Sequence, residues 1–324
     1  MTRPAPEDIS HAAIIGTGLI GSAWAALFLA HGIKVLAIDP AADAPARLRQ
    51  TIATMVPMLE ALGLVTPAAD FDRVEVVAEP GPQLEPVQFV QENVPENLAL
   101  KQAILAEVER WLDPSVVIAS STSALKISDI QADCRHPERC LAGHPINPPH
   151  LMPLVEVSGG SLSDAASLDW AMRFYARLGK KPVRLRRDIE GHIAGRLSAA
   201  LWREAVSLVD QGVASVADID AAVVYGPGLR WATMGPHLTY HLGGGEGGIR
   251  HYLEHLGDSQ QRRWESLGKP TLSAELKDRI ADGVLEEAQA RSIEDLALDR
   301  DRKLVAAIKA VGGNRDEGDL AGKA

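Results

Sequence analysis

His144 and Glu156 are the pair of side chains in this sequence whose types and setting best suit proton chemistry. An imidazole titrates near neutral pH, as a general base must. A carboxylate hydrogen-bonded to its far ring nitrogen fixes the tautomer and stabilises the imidazolium once it forms. Asn147 adds an amide three residues after the histidine. The stretch Pro145 to Pro153 is proline-rich, so His144 and Asn147 are expected in a turn. A loop must then fold Glu156, at the head of the next apolar run, back onto the histidine. Taken alone, a histidine in a turn more often caps or meets solvent. The significance of this one depends on the elements that precede it.

The apolar run Ala12–Ile15 reads as a buried parallel strand. A G-x-G-x-x-G turn follows, with Leu19 and Ile20 between Gly18 and Gly21, and it opens an apolar helical pattern (Trp24, Leu27, Phe28). Gly16 permits the tight turn, Gly18 lets the backbone approach a pyrophosphate, and Gly21 lets helix and sheet close up. The phosphates would rest on the free N–H groups of the helix N-terminus. A second strand, Lys34–Ile38, ends at Asp39. A carboxylate there can accept both ribose hydroxyls of NAD and would repel the 2′-phosphate of NADP. Pro40, not an arginine, follows Asp39, so the expected cofactor is NAD.

Length and composition bound the rest. A chain of 324 residues, 46% hydrophobic, suggests two globular domains. The net charge of −10 and the lack of a basic block argue against nucleic acid and anionic membrane partners. No apolar run reaches membrane-span length, and the first residues lack the apolar core of a secretory signal, so a cytoplasmic protein is expected. Cys134 and Cys140 are the only cysteines, placed in a polar loop near His136 and His144. No C-x-x-C accompanies them, so they read as free thiols and no metal is expected. The pairs His237/His241 and His251/His255 have metal-ligand spacing but no H-E-x-x-H, and read as surface or hydrogen-bonded histidines.

Along the chain, helical patterns over 45–62 and 97–112 alternate with strands over 74–78, 87–91, 116–120, 151–157 and 182–185. A short helix starts at Ser128. This is the rhythm of a doubly wound sheet. Near Asp188 the texture becomes helical: Ile193, Leu197, Leu201, Ala205 and Leu208 recur every three or four residues, Gly212 ends that helix, and Ser215 with Asp218 caps the next. The expected architecture is an α/β N-terminal Rossmann-type doubly wound sheet plus an all-α C-terminal domain. The boundaries are 1–188 for the NAD-binding domain, 189–311 for a helical substrate and dimerisation domain, and 312–324 for a disordered tail. The run Gly243–Gly248 reads as a flexible loop or lid, and 275–302 as one solvated helix.

With both motifs in hand, the sequence resembles the 3-hydroxyacyl-CoA dehydrogenase superfamily over nearly its whole length. The resemblance rests on the glycine fingerprint, the segment Glu92–Asn97, the run Ser120–Ser123, the His144–Glu156 block, and Gly191–Arg196. It implies His144 as catalytic base paired with Glu156, Ser123 and Asn147 as hydrogen-bond donors to the reacting oxygen, Glu96 and Ser121 as cofactor contacts beside Gly16, Gly18, Leu19, Ile20, Gly21 and Asp39, and a homodimer. One departure stands out: the superfamily usually has an asparagine where this chain has Gly195, which weakens the case for an acyl-CoA substrate.

The substrate end is read from residues 225–264, which hold Tyr225, Trp231, Tyr240, Tyr252 and Trp264, five of fourteen aromatics. The segments 226–236 and 238–248 resemble the carnitine-oxidising branch of that superfamily. The implied reaction is oxidation of L-carnitine to 3-dehydrocarnitine with NAD. A quaternary ammonium cannot donate hydrogen bonds and is best held by aromatic faces and a carboxylate. Trp231, Tyr240 and Glu246 are therefore candidates for the cation end, and Arg230 or Arg196 for the substrate carboxylate. Aromatics in a helical domain more often fill core or a dimer interface. The alternatives are another 3-hydroxy acid (L-gulonate or a 3-hydroxyacyl-CoA) and a non-catalytic, crystallin-like NAD-binding protein.

Overall fold

The computed structural model describes residues 3–312. They divide into two compact units, with the division between Arg196 and Leu197. In the first unit β1 (His11–Ile15) and β2 (Lys34–Ile38) are runs of small and branched apolar residues buried along almost their full length. That is the signature of strands covered on both faces. β3 (Val74–Val77), β4 (Phe89–Glu92), β5 (Val117–Ser120), β6 (Cys140–Pro145), β7 (Leu154–Gly159) and β8 (Lys181–Arg184) complete an eight-stranded sheet in the order β3-β2-β1-β4-β5-β6-β7-β8. All neighbours run parallel except β6 and β7, which are antiparallel. The chain winds outward from β1 to β3, then returns to β4 on the other side of β1. Such a reversal opens a crevice at the carboxyl ends of β1 and β4, where ligands of open α/β sheets bind.

Helices cover both faces. On one, Trp24 and Phe28 of α1 (Leu19–Ala30) and residues of α2 (Ala44–Ala61) pack with Phe89 and with Trp170, Phe174 and Tyr175 of α5 (Ala165–Arg177). The Phe89 and Phe174 rings lie 4.4 Å apart. On the other, Leu105 and Val108 of α3 (Leu98–Val108) and Ile127 and Ile130 of α4 (Ile127–Ile130) pack on Ile118 and Val90. Fully burying each such side chain contributes about 1.5–3 kcal/mol, which makes the sheet a rigid platform for its loops.

The second unit is helical. It holds most of α6 (Ile193–Asp210), then α7 (Val216–Val223), α8 (Leu229–Trp231), α9 (Pro236–Gly243), α10 (Gly248–Ser266), α11 (Ala274–Ala288) and α12 (Ile293–Gly312). Gly212, at φ 66°, closes α6. The Ser215 hydroxyl accepts from the Asp218 N–H at 3.1 Å and donates to its carboxylate at 2.6 Å, capping α7. Among the described residues, no helix is long and apolar enough to cross a membrane.

Four local expectations are corrected. His144 stands in strand β6, not in a turn. Gly143 and Pro145 on either side of it masked a strand whose six residues are all buried. Cys140 opens that strand, so it is no part of a polar loop. The run 243–248 is a tight 3₁₀ turn (Gly245–Gly247) leading straight into α10, so it forms no long loop. The segment 275–302 is two helices, parted where Gln289 and Ala290 adopt left-handed backbone at φ 52° and 59°. The expected tail lies outside the described residues, apart from Gly312, which closes α12.

Candidate active site at the carboxyl ends of the strands

The β6–β7 pairing places His144 directly opposite Glu156. Antiparallel register, not a folded-back loop, joins them. His144 Nδ1 lies 3.0 Å from Glu156 Oε2, and both side chains are buried. The other carboxylate oxygen, Oε1, accepts the N–H groups of Ile193 (2.8 Å) and Ala194 (3.0 Å) at the start of α6. Burial pushes the Glu156 carboxyl up, but the hydrogen bonds from His144, Ala194 and Ile193 outweigh it, and its pKa falls below the usual carboxylate range. An ionised Glu156 can only accept, so Nδ1 carries the proton and Nε2 keeps its lone pair.

His144 lines a cleft of about 330 Å³ with Ile20, Asn93, Val94, Glu96, Lys101, Ser121, Ser123, Pro145, Ile146 and Asn147. The sequence-assigned Ile20, Glu96, Ser121, Ser123, His144 and Asn147 thus share one cleft. Ser123 and Asn147 are exposed at its surface. Glu96 Oε1 is engaged by the turn that bears the serine: it accepts from the Thr122 hydroxyl (2.6 Å) and from the N–H groups of Ser123 (3.1 Å), Ala124 (2.8 Å) and Leu125 (3.1 Å). Ser121 Oγ accepts from Gln91 and donates to Asn93 Oδ1 at 2.7 Å.

Around the glycine turn, Gly16 has φ 85°, and a β-carbon on Gly21 would stand 1.9 Å from the Gly16 carbonyl oxygen. Both positions require glycine. A β-carbon on Gly18 would meet nothing within 4 Å. Gly18 precedes the first turn of α1, which no side chain caps, so an open cradle lies over free N–H groups. The Asp39 carboxylate stands close by: Oδ2 accepts from the Thr17 N–H (2.9 Å) and hydroxyl (2.6 Å), and Oδ1 from the Ala41 N–H (3.0 Å). Burial pushes Asp39 up, but these bonds and Arg47 bring its pKa below the ordinary value. A cradle of bare backbone donors beside an anionic ribose acceptor fits a dinucleotide without a 2′-phosphate.

Sequence reasoning missed the buried groups that brace these loops. Lys101 Nζ donates to both oxygens of Glu92 (2.8 and 3.1 Å) and to the Val94 carbonyl (3.1 Å), and stands 3.5 Å from Glu96. The Ser120 hydroxyl donates to Glu92 as well. Lys180 Nζ ties down the turn after Asn147 through the carbonyls of Pro149 and Met152. Burial pushes its pKa down to about 7. Tyr175 donates to Gln91 Oε1 at 2.6 Å, and the Gln91 amide reaches the Gly143 carbonyl at 3.1 Å, just before His144. Only a buried polar residue in an apolar run could have hinted at any of these.

Of the remaining candidates, Arg196 is exposed at the end of the first unit, and Arg230, Trp231, Tyr240 and Glu246 are exposed in the second. Within that second unit Tyr240 pairs with Tyr252 at 5.1 Å and lines a cavity of about 390 Å³ with His237 and Trp264. Trp231 and Glu246 do not line it. A β-carbon at Gly195 would meet nothing within 4 Å, in keeping with open space there. Cys134 and Cys140 are free thiols with their sulfurs 3.7 Å apart.

The depressed carboxyls carry a pH signature. Asp39, Glu96 and Glu156 bind protons less readily folded than unfolded. Their stabilisation is complete above the ordinary values of 3.8 and 4.5 and is lost as pH falls through the lower folded values. The carboxyls' share of the urea midpoint is expected to hold down to about pH 5 and to drop below about pH 4, after a first decline that begins near pH 6.5, because burial lowers the pKa of His11, His31 and His192 in the fold. The Glu156→Gln variant should show a shallower drop; an identical acid limb would remove Glu156 from that account.

Residues 11–189 match the family model for the NAD-binding domain of 3-hydroxyacyl-CoA dehydrogenase, and residues 191–286 match the model for its C-terminal domain. An L-carnitine dehydrogenase of Streptomyces griseus is 48% identical over 308 residues, spanning 95% of this chain and 92% of the relative. One of Pseudomonas aeruginosa is 44% identical over 304 residues, spanning 94% of each. Among solved structures, the NAD⁺-dependent dismutase 5-formyl-3-hydroxy-2-methylpyridine 4-carboxylic acid 5-dehydrogenase is 28% identical, covers 95% of this chain and 100% of its own, and superposes with a TM-score of 0.81.

Proposed function

Because this chain belongs to the 3-hydroxyacyl-CoA dehydrogenase family and is an NAD-dependent 3-hydroxy acid dehydrogenase, we propose that its substrate is L-carnitine and its product 3-dehydrocarnitine. The observation that carries the chemistry is the buried His144–Glu156 pair, 3.0 Å apart, on a cleft that also holds Ser123 and Asn147. The substrate assignment is supported by relatives named L-carnitine dehydrogenase at 42–48% identity over at least 92% of this chain. A trimethylammonium group, a cation with no donor, is best held by aromatic faces and a carboxylate; Trp231, Tyr240 and Glu246 are our candidates for that end, and Arg230 or Arg196 for the substrate carboxylate.

In this mechanism Gly16, Gly18, Leu19, Ile20, Gly21 and Asp39 would hold NAD, with Glu96 and Ser121 bordering the site, and the bound cofactor would supply the hydride acceptor. His144 Nε2 takes the proton of the 3-hydroxyl as C–H cleavage proceeds. Glu156 holds the ring through Nδ1 and stabilises the imidazolium. Ser123 and Asn147 donate hydrogen bonds to the oxygen as it becomes a carbonyl, each contact of this kind being worth on the order of 10²-fold.

We further propose a homodimer in the cytoplasm, with residues 1–188 as the cofactor domain and 189–311 as the substrate and pairing domain. Among the described residues beyond Arg196, only Val206, Ile219, Tyr252, Leu276 and Val305 are buried apolar residues, whereas nineteen of the 24 exposed large apolar side chains lie there. A helical unit with so much uncovered apolar surface calls for a partner, and a second copy supplies a self-complementary one.

The test is NADH formation at 340 nm near pH 9 with L-carnitine, L-gulonate, 3-hydroxybutyrate and 3-hydroxybutyryl-CoA in parallel. Turnover with L-carnitine at least 100-fold above the others is expected, on the order of one well-made recognition. A preference for any other substrate overturns the assignment. Light scattering on the same preparation should give twice the 34.7 kDa chain mass.

A further inference from the structure

His144 is packed face to face against a second imidazole. The rings of His144 and His192 have centroids 4.8 Å apart and planes inclined by 22°. His192 is buried, and neither ring nitrogen has a hydrogen-bond partner of ordinary geometry. Its backbone is unusual as well: Gly191 (φ 74°) and His192 (φ 48°) are consecutive left-handed residues. Side chains rarely adopt that conformation, although histidine tolerates it better than most. The next two residues, Ile193 and Ala194, give their N–H groups to Glu156. The segment 191–194 thus grips both members of the dyad, with a ring on the imidazole and two amides on the carboxylate.

A buried imidazole with at best a poor hydrogen bond to the Ser123 backbone costs free energy that a leucine would avoid, and its left-handed backbone costs strain that a glycine would avoid. The position of the ring supplies a reason for it. We propose that His192 is a positioning residue for the general base: an aromatic face that fixes the plane of the His144 ring. This inference rests on the assignment of His144 as base.

The electrostatics are consistent with a neutral His192. Burial lowers its pKa most, and the neighbouring His144 lowers it further. Glu156 from β7, the Ser123 backbone and Asp188 act in the opposite direction without reversing the shift. A neutral ring face tolerates a cation stacked on it, whereas two stacked cations would repel. Without the stacked ring, His144 is held only through Nδ1 and can pivot about that single bond. Misplacement of a catalytic group by about 1 Å costs on the order of 10²-fold in rate.

The test compares His192→Asn, which suits left-handed backbone but has no ring, with His192→Phe, which keeps the ring face without its nitrogens. For His192→Asn, kcat with the proposed hydroxy acid is expected to fall by on the order of 10- to 100-fold, with its KM and the Kd for NAD changing by less than about threefold. The Phe variant should recover most of the lost kcat. Two results overturn the inference: an unchanged kcat in His192→Asn, or a His192→Phe variant as slow as His192→Asn with a raised KM, which would make the nitrogens direct substrate contacts. His144→Gln, assayed in parallel, separates the two layers. If it turns over at the wild-type rate, the base assignment falls and this inference with it. If it is inactive while His192→Asn is unaffected, only the positioning role falls.

Discussion

Replacement of His144 by alanine is expected to lower kcat by on the order of 10²–10⁴-fold, the usual contribution of a positioned general base, while NAD still binds. The reasoning starts from Glu156. Its carboxylate is held ionised by three donors, so it must accept from Nδ1, and the remaining lone pair of the ring sits on Nε2. Nothing else among the cleft-lining side chains can take its place at neutral pH. Glu96 spends Oε1 on the turn 122–125, and Lys101 is committed to Glu92. Alanine therefore leaves the alcohol proton without an acceptor. The dinucleotide cradle at Gly18 and Asp39 is built by β1, α1 and β2, to which His144 contributes no hydrogen bond. Stopped-flow NADH formation and calorimetric titration with NAD read the two quantities separately. A variant with undiminished kcat would refute His144 as base. Loss of NAD affinity in step with kcat would show that the residue supports the cofactor site instead. The same experiment bears on the crystallin-like alternative, because a protein without catalytic duty has no rate to lose.

The doubly wound sheet was legible because its signals are local and redundant. Ala12–Ile15, the glycine turn and Lys34–Ile38 each specify one element, and the observed strands agree with them. The dyad was legible as a pair of residue types at a fixed spacing, but its geometry was not. Six residues from Cys140 to Pro145 carry a glycine, a histidine and a proline, which break the apolar pattern of a strand, although the sheet buries every one of them. Once β6 and β7 are seen as antiparallel neighbours, the spacing of twelve becomes a consequence of register. The supports of the site were not legible at all. Glu92 pairs with Lys101 across the gap between a strand and a helix, Lys180 reaches carbonyls some thirty residues away, and no periodicity encodes such contacts. The substrate end has no comparable local signal. Of the aromatics in 225–264, Tyr240 meets Tyr252 and Trp264 around one cavity. Trp231 and Glu246 stand apart from it, because sequence proximity on short helices says little about which faces converge.

Replacement of Lys101 by methionine should destabilise the N-terminal unit by about 3–5 kcal/mol, the usual cost of leaving one partner of a buried ion pair uncompensated. Lys101 and Glu92 are both almost wholly shielded from water, and the ammonium spends its three protons on Glu92 and the Val94 carbonyl. Without it, the buried Glu92 loses its counter-charge and keeps only the Ser120 hydroxyl and the Val94 N–H as donors, which costs free energy. The expected drop in melting temperature is on the order of 10 °C for a unit of this size. The double variant Glu92→Gln/Lys101→Met separates charge from packing. Glutamine keeps an acceptor for the Val94 N–H, which now reaches Glu92 Oε1 at 2.6 Å, but it buries no charge. If the penalty is electrostatic, the double variant recovers at least half of the lost stability. If it is as unstable as Lys101→Met, the loss comes from the lysine's own bond to the Val94 carbonyl and from the packing of its stem. In either case the ion pair lies directly under the segment 92–97 and the serine turn that Glu96 clamps. A single buried lysine thus couples the stability of the sheet to the shape of the cleft.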